Sequence, residues 1–230
     1  QVWTLIDMFP GRPGMTVIGE NGGIVMRDGV EVSSSPLDAP TMREAVRLVR
    51  EATSGPDGID GGLVMCGKQF AYVERTDDRF VDGVLPYYHR TKRIDDQIAI
   101  IDAIEAGEID DAIVKLAVYV IGPVQALAEA TLARFADTHQ YAVSGANWAD
   151  LQIRGVDKGS AVRDLQRFLG VDRSQTAVFG DAGNDLSMMS EGDLSFAMAN
   201  ASQDVVEASR FIAPSNNEAG VAQVLRTLLG

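Results

Sequence analysis

The sequence predicts an α/β protein, a doubly wound parallel-sheet core carrying an inserted α+β module. Three observations predict it. From Gly155 onward, short strand-like apolar runs alternate strictly with helix-like segments. One such run, residues 176–179, empties into a glycine-spaced cluster of acids, Gly180-Asp181-Ala182-Gly183-Asn184-Asp185. Finally, 230 residues are long for one domain and short for two full ones, which suits an ordinary core interrupted by a module.

Taken in order, residues 1–9 place Val2, Leu5, Ile6 and Phe9 at helical spacing and read as the tail of an amphipathic helix ended by Pro10-Gly11. Residues 15–19 form a short buried strand, and Glu20-Asn21-Gly22-Gly23 a turn into a second strand at 24–26. Ser33-Ser34-Ser35-Pro36, with Asp38 and Pro40, is linker-like. Thr41 then caps a helix through Met42, Ala45, Val46, Leu48 and Val49, and Glu44 closes a capping box. A Gly, Pro and Asp loop at 54–62 precedes a strand at 63–73, broken at Gly67-Lys68. Residues 75–93 are polar and aromatic without a clear period and read as an exposed excursion. A helix at 95–106, a strand at 112–121, a helix at 123–135 and paired strands at 141–144 and 148–153 complete the module. Asp157-Lys158-Gly159 opens a helix at 160–169 that Gly170 closes. The strand at 176–179 and a helix from Asp185 follow, then a strand at 194–198, a helix at 203–208, a strand at 211–213 and a helix at 219–229.

Composition narrows the function classes. Twenty basic against 33 acidic side chains give a formal charge of −13, which argues against nucleic acid or an anionic membrane as partner. A phosphate substrate stays compatible, provided a metal and a local lysine reverse the potential at the site. No apolar stretch approaches the ~20 residues of a membrane span; the longest, residues 113–121, is strand-sized and interrupted by Lys115. The single cysteine, Cys66, follows Leu63, Val64 and Met65, reads as a buried structural thiol and fits a reducing cytoplasm. His89 and His139 lie too far apart in the chain to suggest a zinc cluster.

The acid cluster carries the chemistry. Asp181 falls at the carboxyl end of its strand, where open α/β sheets bind ligands, and Asp185 follows about one helical turn later at a helix start. Hard oxygen ligands so placed suit Mg²⁺. A helix cap alone would explain Asp185, but not Asp181, Asn184 and Asp185 together with two glycines. Gly-Asp-x-x-Asn-Asp resembles the fourth motif of the haloacid dehalogenase-like (HAD) hydrolases, whose core is Rossmann-like. The resemblance implies that Asp181 and Asp185 hold Mg²⁺, and Asn184 can offer an amide donor to the phosphate of a bound substrate or orient a metal ligand. Loop lysines are ordinarily just solvated. Gly-Val-Asp-Lys-Gly-Ser-Ala before a helix nonetheless resembles the third motif of the family, which implies that Lys158 stabilises charge on the transferring phosphoryl group. The segments Phe196-Ala-Met-Ala-Asn-Ala and Ser215-Asn-Asn-Glu-Ala-Gly-Val-Ala resemble the closing stretches of its Cof-type phosphatases, the branch with a large α/β cap. In that branch a strand ending in Asn-Gly lies near the phosphate, which makes Asn21 and Gly22 candidate substrate-binding residues, although Asn-Gly is equally the commonest hairpin turn. The implied organisation is a core of residues 1–31 and 150–230 with a cap at 32–149.

The pattern also departs from the family. No apolar strand ends in the Asp-x-Asp that supplies nucleophile and general acid; Asp57-Gly-Ile-Asp60 follows Ser-Gly-Pro and lies in the presumed cap. The second motif is missing too, because Phe9-Pro10-Gly11-Arg12-Pro13 has proline where its hydroxyl belongs. The sequence therefore reads as beginning inside the helix after motif two, with Val17, Ile18, Val178 and Phe179 expected to face the place of a missing strand. On this reading the full-length protein is a Mg²⁺-dependent phosphatase of a sugar phosphate or similar small metabolite, acting through an aspartyl-phosphate whose nucleophile lies upstream of Gln1, and the 230 residues alone are inactive. Two rivals remain: a catalytically inactive HAD-like ligand-binding protein, and a response-regulator-like module, which the cap-sized stretch disfavours.

Overall fold

The computed structural model describes residues 2–9 and 12–230, so the expected helix stop at Pro10-Gly11 lies outside the described residues. The chain packs as two compact units, 1–155 and 156–230. The first unit runs through α1 (Val2–Met8), β1 (Thr16–Gly19), a 3₁₀ turn at Glu20–Gly22, β2 (Ile24–Arg27), β3 (Val30–Ser34) and α2 (Ala39–Thr53). It continues through β4 (Gly61–Gly67), β5 (Ala71–Val73), α3 (Asp78–Val84), β6 (Thr91–Arg93), α4 (Gln97–Glu105), β7 (Ile113–Val120), α5 (Gln125–Ala130), β8 (His139–Val143) and β9 (Trp148–Ile153). The second unit comprises α6 (Lys158–Leu169), β10 (Ala177–Gly180), α7 (Leu186–Met189), β11 (Leu194–Met198), α8 (Gln203–Ala208), β12 (Phe211–Ala213) and α9 (Gly220–Leu229).

In the first unit β1, β2 and β3 form an antiparallel meander, and a six-stranded sheet runs in the order β6-β5-β4-β7-β9-β8. Its central strands β4 and β7 read as nearly continuous apolar runs because both faces are covered. On one face Met42, Val46 and Val49 of α2 and Ile101 of α4 pack on Leu63, Met65, Leu116 and Leu151. On the other, Phe80, Val84 and Tyr88 pack on Val64, Cys66 and Ala117. Each such side chain withdrawn from water contributes about 1.5–3 kcal/mol, so this double layer is the stable heart of the unit.

Three expectations change here. Ser33 and Ser34 belong to β3 rather than to a linker. The cap of α2 is Asp38, whose carboxylate accepts from the Thr41 backbone N–H at 2.8 Å, while Glu44 pairs with Arg47 instead of closing a box. Residues 75–93 are no exposed excursion: Asp77 caps α3, and Phe80, Val81, Val84 and Tyr88 are buried. That helix spans two turns, too few for a 3.6-residue period to register against its charged residues.

The second unit is a three-stranded parallel sheet, β10-β11-β12, connected through helices as the alternation predicted. Phe179, Phe196 and Phe211 stack across the three strands, with ring centroids 4.9 and 5.2 Å apart. Val178, Met189, Ala197 and Val205 pack together as a separate cluster. Among the described residues β10 pairs only with β11 and β1 only with β2, so each is an edge strand of its own sheet with one side unpaired. No helix among the described residues is long and apolar enough to cross a membrane.

Candidate functional site

In the second unit the site grows from the turn after β10. Gly180 ends the strand where a Cβ would stand 2.6 Å from both the Asp185 Cβ and the Met189 Cε, so only glycine lets the turn fold back this tightly. The chain then passes through a 3₁₀ turn, Gly183–Asp185, into α7. This fold-back buries Asp185 beneath the turn: its Oδ2 accepts from the backbone N–H groups of Asp181 and Ala182 at 2.9 and 3.2 Å. Its Oδ1 accepts from Lys158 Nζ at 2.5 Å. Burial pushes the Asp185 carboxyl up, but the Lys158 bond and the two backbone donors outweigh it and hold the group below the usual carboxylate range.

Lys158 is the first residue of α6, capped by Asp157 in a reciprocal box with Ser160. A cation at a helix N-terminus is unfavourable against the helix dipole. Its placement is therefore of no use to the helix and is offset by Asp185. Its side chain keeps about a third of its surface, 31%, open to solvent, whereas Asp185 keeps 7%. The ammonium thus holds a buried carboxylate on one side and faces solvent on the other.

Asp181 lies exposed at the carboxyl end of β10 and is held from the neighbouring strand's exit, its Oδ2 accepting from Asn200 Nδ2 at 3.2 Å and its carbonyl from Ser202 N–H at 2.9 Å. Asn184, on the same turn, is also exposed. Lys158, Asp181, Asn184 and Asp185 are thus brought together in one unit, two through side chains and the others through the turn. Asn200 is a member that sequence reasoning did not single out; its signal was its place in the Phe196 to Ala201 segment, directly after the strand beside β10.

Asn21 and Gly22 belong to the first unit, in the turn that closes the β1–β2 hairpin. Glu20 and Asn21 take left-handed φ of 48° and 50° and Gly22 a φ of 102°. For the two non-glycine residues this costs about 1–2 kcal/mol each.

Among the described residues no three His, Cys, Asp or Glu side chains converge as a ready cation cage. Mg²⁺, however, is commonly held through one or two carboxylates while keeping several waters. Asp181 presents an exposed carboxylate of that kind, and Asp185, whose oxygens accept from Lys158 and two backbone N–H groups, also fixes the turn that carries it.

A parallel sheet with an acid turn at a strand's carboxyl end and a lysine from the preceding helix sets charged groups where open α/β sheets bind ligands. The chain belongs to the haloacid dehalogenase-like hydrolases, whose sequence profile matches residues 7–225. It is 33% identical over 236 residues to the 5-amino-6-(5-phospho-D-ribitylamino)uracil phosphatase of Escherichia coli, an alignment covering 100% of this chain and 80% of that protein. A solved haloacid dehalogenase-like hydrolase from Bacteroides thetaiotaomicron superposes with a TM-score of 0.76 at 19% identity, covering 94% of this chain and 77% of that one. A solved sugar phosphatase of HAD subclass IIB superposes with a TM-score of 0.67 at 16% identity, covering 93% and 75%.

Proposed function

We propose that the protein hydrolyses a phosphate monoester of a small metabolite, a sugar phosphate or similar compound, with Mg²⁺ held through Asp181. The observation that carries this reading is the half-open Lys158 ammonium, locked by buried Asp185 beside the turn that presents Asp181. Phosphoryl transfer asks a protein mainly for positioning and for cations already in place around the equatorial oxygens. Lys158 supplies one such charge and loses no rotamer freedom when the substrate arrives, because Asp185 has already fixed it. When bound, Mg²⁺ would neutralise further charge on the phosphoryl group. Asn184 offers an amide donor from the same turn, and the resemblance of the Asn-Gly turn to that of the Cof-type branch supports Asn21 and Gly22 as substrate-binding residues. Neither Asp181 nor Asp185 acts as the nucleophile in this reading, the first being committed to the metal and the second to three hydrogen bonds.

We further assign the core to residues 1–31 together with the segment after β9, and the cap to the stretch between them; β9 ends at Ile153, slightly beyond the expected boundary of 149. The acidic composition supports a small-molecule partner over nucleic acid or membrane, and the single thiol of Cys66 supports a reducing cytoplasm as the place of action. The test is turnover of an aryl phosphate and a panel of sugar phosphates by the intact protein, together with melting in the presence and absence of millimolar Mg²⁺. Metal-dependent turnover and a Mg²⁺-induced rise in Tm, both lost in Asp181→Ala, are expected. An equal rise in the variant would remove Asp181 from the metal site.

A further inference from the structure

We infer that Lys115 is a positioning residue: with Gln152 it clamps the Glu20–Gly22 turn in its left-handed conformation, and so sets Asn21 and Gly22 for the phosphate substrate. The second half of this inference rests on the assignment of Asn21 and Gly22 proposed above; the first half stands on geometry alone.

Lys115 sits in the middle of β7, in the most apolar sheet of the molecule, and its side chain is 5% exposed. By the two-residue period of a strand it points away from Leu116, towards the face that Ala117 shares with Cys66 and Tyr88. On adjacent β9, Asp150 and Gln152 likewise point away from Leu151, which pairs with Leu116. Lys115, Asp150 and Gln152 thus form a polar island on an otherwise apolar face, and the island is aimed at one residue. Lys115 Nζ lies 2.8 Å from Glu20 Oε2 and 3.8 Å from Asp150 Oδ1, and Gln152 Nε2 donates to the Glu20 carbonyl at 2.6 Å. Glu20 itself is 4% exposed.

A buried ion pair is a poor way to stabilise a core, since well-packed apolar side chains would serve as well or better. What this one does is specific. It grips Glu20 by side chain and backbone at the first of three successive positive-φ residues, a conformation that a free chain of this sequence would leave. The turn cannot relax while both grips hold. Gly23 closes the arrangement, since a Cβ there would stand 3.2 Å from Gln152 Nε2 and 3.4 Å from Val114 Cβ. Strain of this kind, fixed by its surroundings, is what pre-organises a binding turn.

The experiment uses the intact protein and four variants: Lys115→Met, Gln152→Leu, and Lys115→Met combined with either Glu20→Gly or Glu20→Ala. Both double variants remove the same charges; only glycine takes a left-handed φ without cost. Two readouts are taken, KM and kcat for an aryl phosphate, and the backbone conformation of residues 20–22 by NMR scalar couplings without substrate. Lys115→Met is expected to raise KM about tenfold with kcat within about twofold, Gln152→Leu to do so less, the Glu20→Gly double variant to return KM to within about threefold of the unsubstituted protein, and the Glu20→Ala double variant to stay near tenfold. The couplings should follow the same order. If Lys115→Met does not fold, the two double variants decide alone. Unchanged couplings in folded Lys115→Met, or glycine and alanine partners that behave alike, overturn the clamp. Couplings that shift while KM stays constant overturn instead the assignment of Asn21 and Gly22 to the substrate.

Discussion

Lys158 and Lys115 each pair with a carboxylate, at 2.5 and 2.8 Å, yet they are placed to opposite ends. Lys158 begins a helix, its partner is buried and its own ammonium half-open; Lys115 lies mid-strand with both members of its pair shut away from water. Burial lowers the Lys115 pKa, but Glu20 outweighs it and keeps the group firmly protonated. The contrast teaches that a lysine–carboxylate pair must be read by which member faces solvent. An ammonium with one open side can meet an incoming anion, whereas an enclosed one can only hold the chain.

Substituting the two lysines separates the roles most sharply. Lys115→Met removes the buried cation that Glu20 and Asp150 share and should cost about 3–5 kcal/mol of stability in urea unfolding. It should also speed labelling of Cys66, whose thiol is buried in the same face and pushed up to about 12 by burial. Lys158→Met should cost less, about 1–2 kcal/mol, because two backbone donors still serve Asp185. Its effect belongs in turnover, which should fall by about 10² at matched stability, the loss expected of one pre-placed electrostatic donor. Equal stability losses for the two would erase the distinction.

A smaller effect probes the turn that fixes Lys158. Gly180→Ala forces a Cβ against Asp185 and Met189 and should destabilise by about 1–3 kcal/mol. Turnover should fall beyond what stability explains, since the displaced Asp185 no longer holds the ammonium.

The smallest effect concerns pH. Burial raises the Asp150 carboxyl above its ordinary range despite the nearby Lys115. An acid whose folded pKa is raised is penalised when ionised, and the penalty is complete above the folded pKa and absent below the unfolded one. Asp150→Asn should therefore raise Tm modestly at pH 8, with the gain shrinking on acidification towards the unfolded carboxylate pKa of about 4. A gain independent of pH would mean that the Asp150 carboxyl titrates alike in the folded and the unfolded chain.

Much of the second unit was legible in the sequence because its signals are local. The strand at Leu194–Met198, the helix at Gln203–Ala208 and the strand at Phe211–Ala213 fall at the expected bounds, and Asp157 and Gly170 bracket α6 as their cap chemistry predicts. The α2 start was misplaced by three residues because Asp38 and Thr41 are both good caps; Pro40, at home in a first turn, was the signal that favoured the earlier one. Lys115 showed only as an interruption in an apolar strand, since Glu20 and Asp150 come from distant parts of the chain and no local pattern announces a partner. The engagement of both Asp185 oxygens was equally hidden: the motif places the acid near a metal, and only the fold-back at Gly180 shows that backbone N–H groups reach it first.

The phenylalanine ladder of the second unit has a spectroscopic consequence. Both tryptophans, Trp3 and Trp148, and all five tyrosines lie in the first unit, while residues 156–230 carry phenylalanine as their only aromatic side chain. Tryptophan emission therefore follows the opening of one unit, and far-ultraviolet dichroism follows both. Coincident melting curves from the two probes mean that the units unfold as one cooperative body, and separated curves give the second unit a stability of its own.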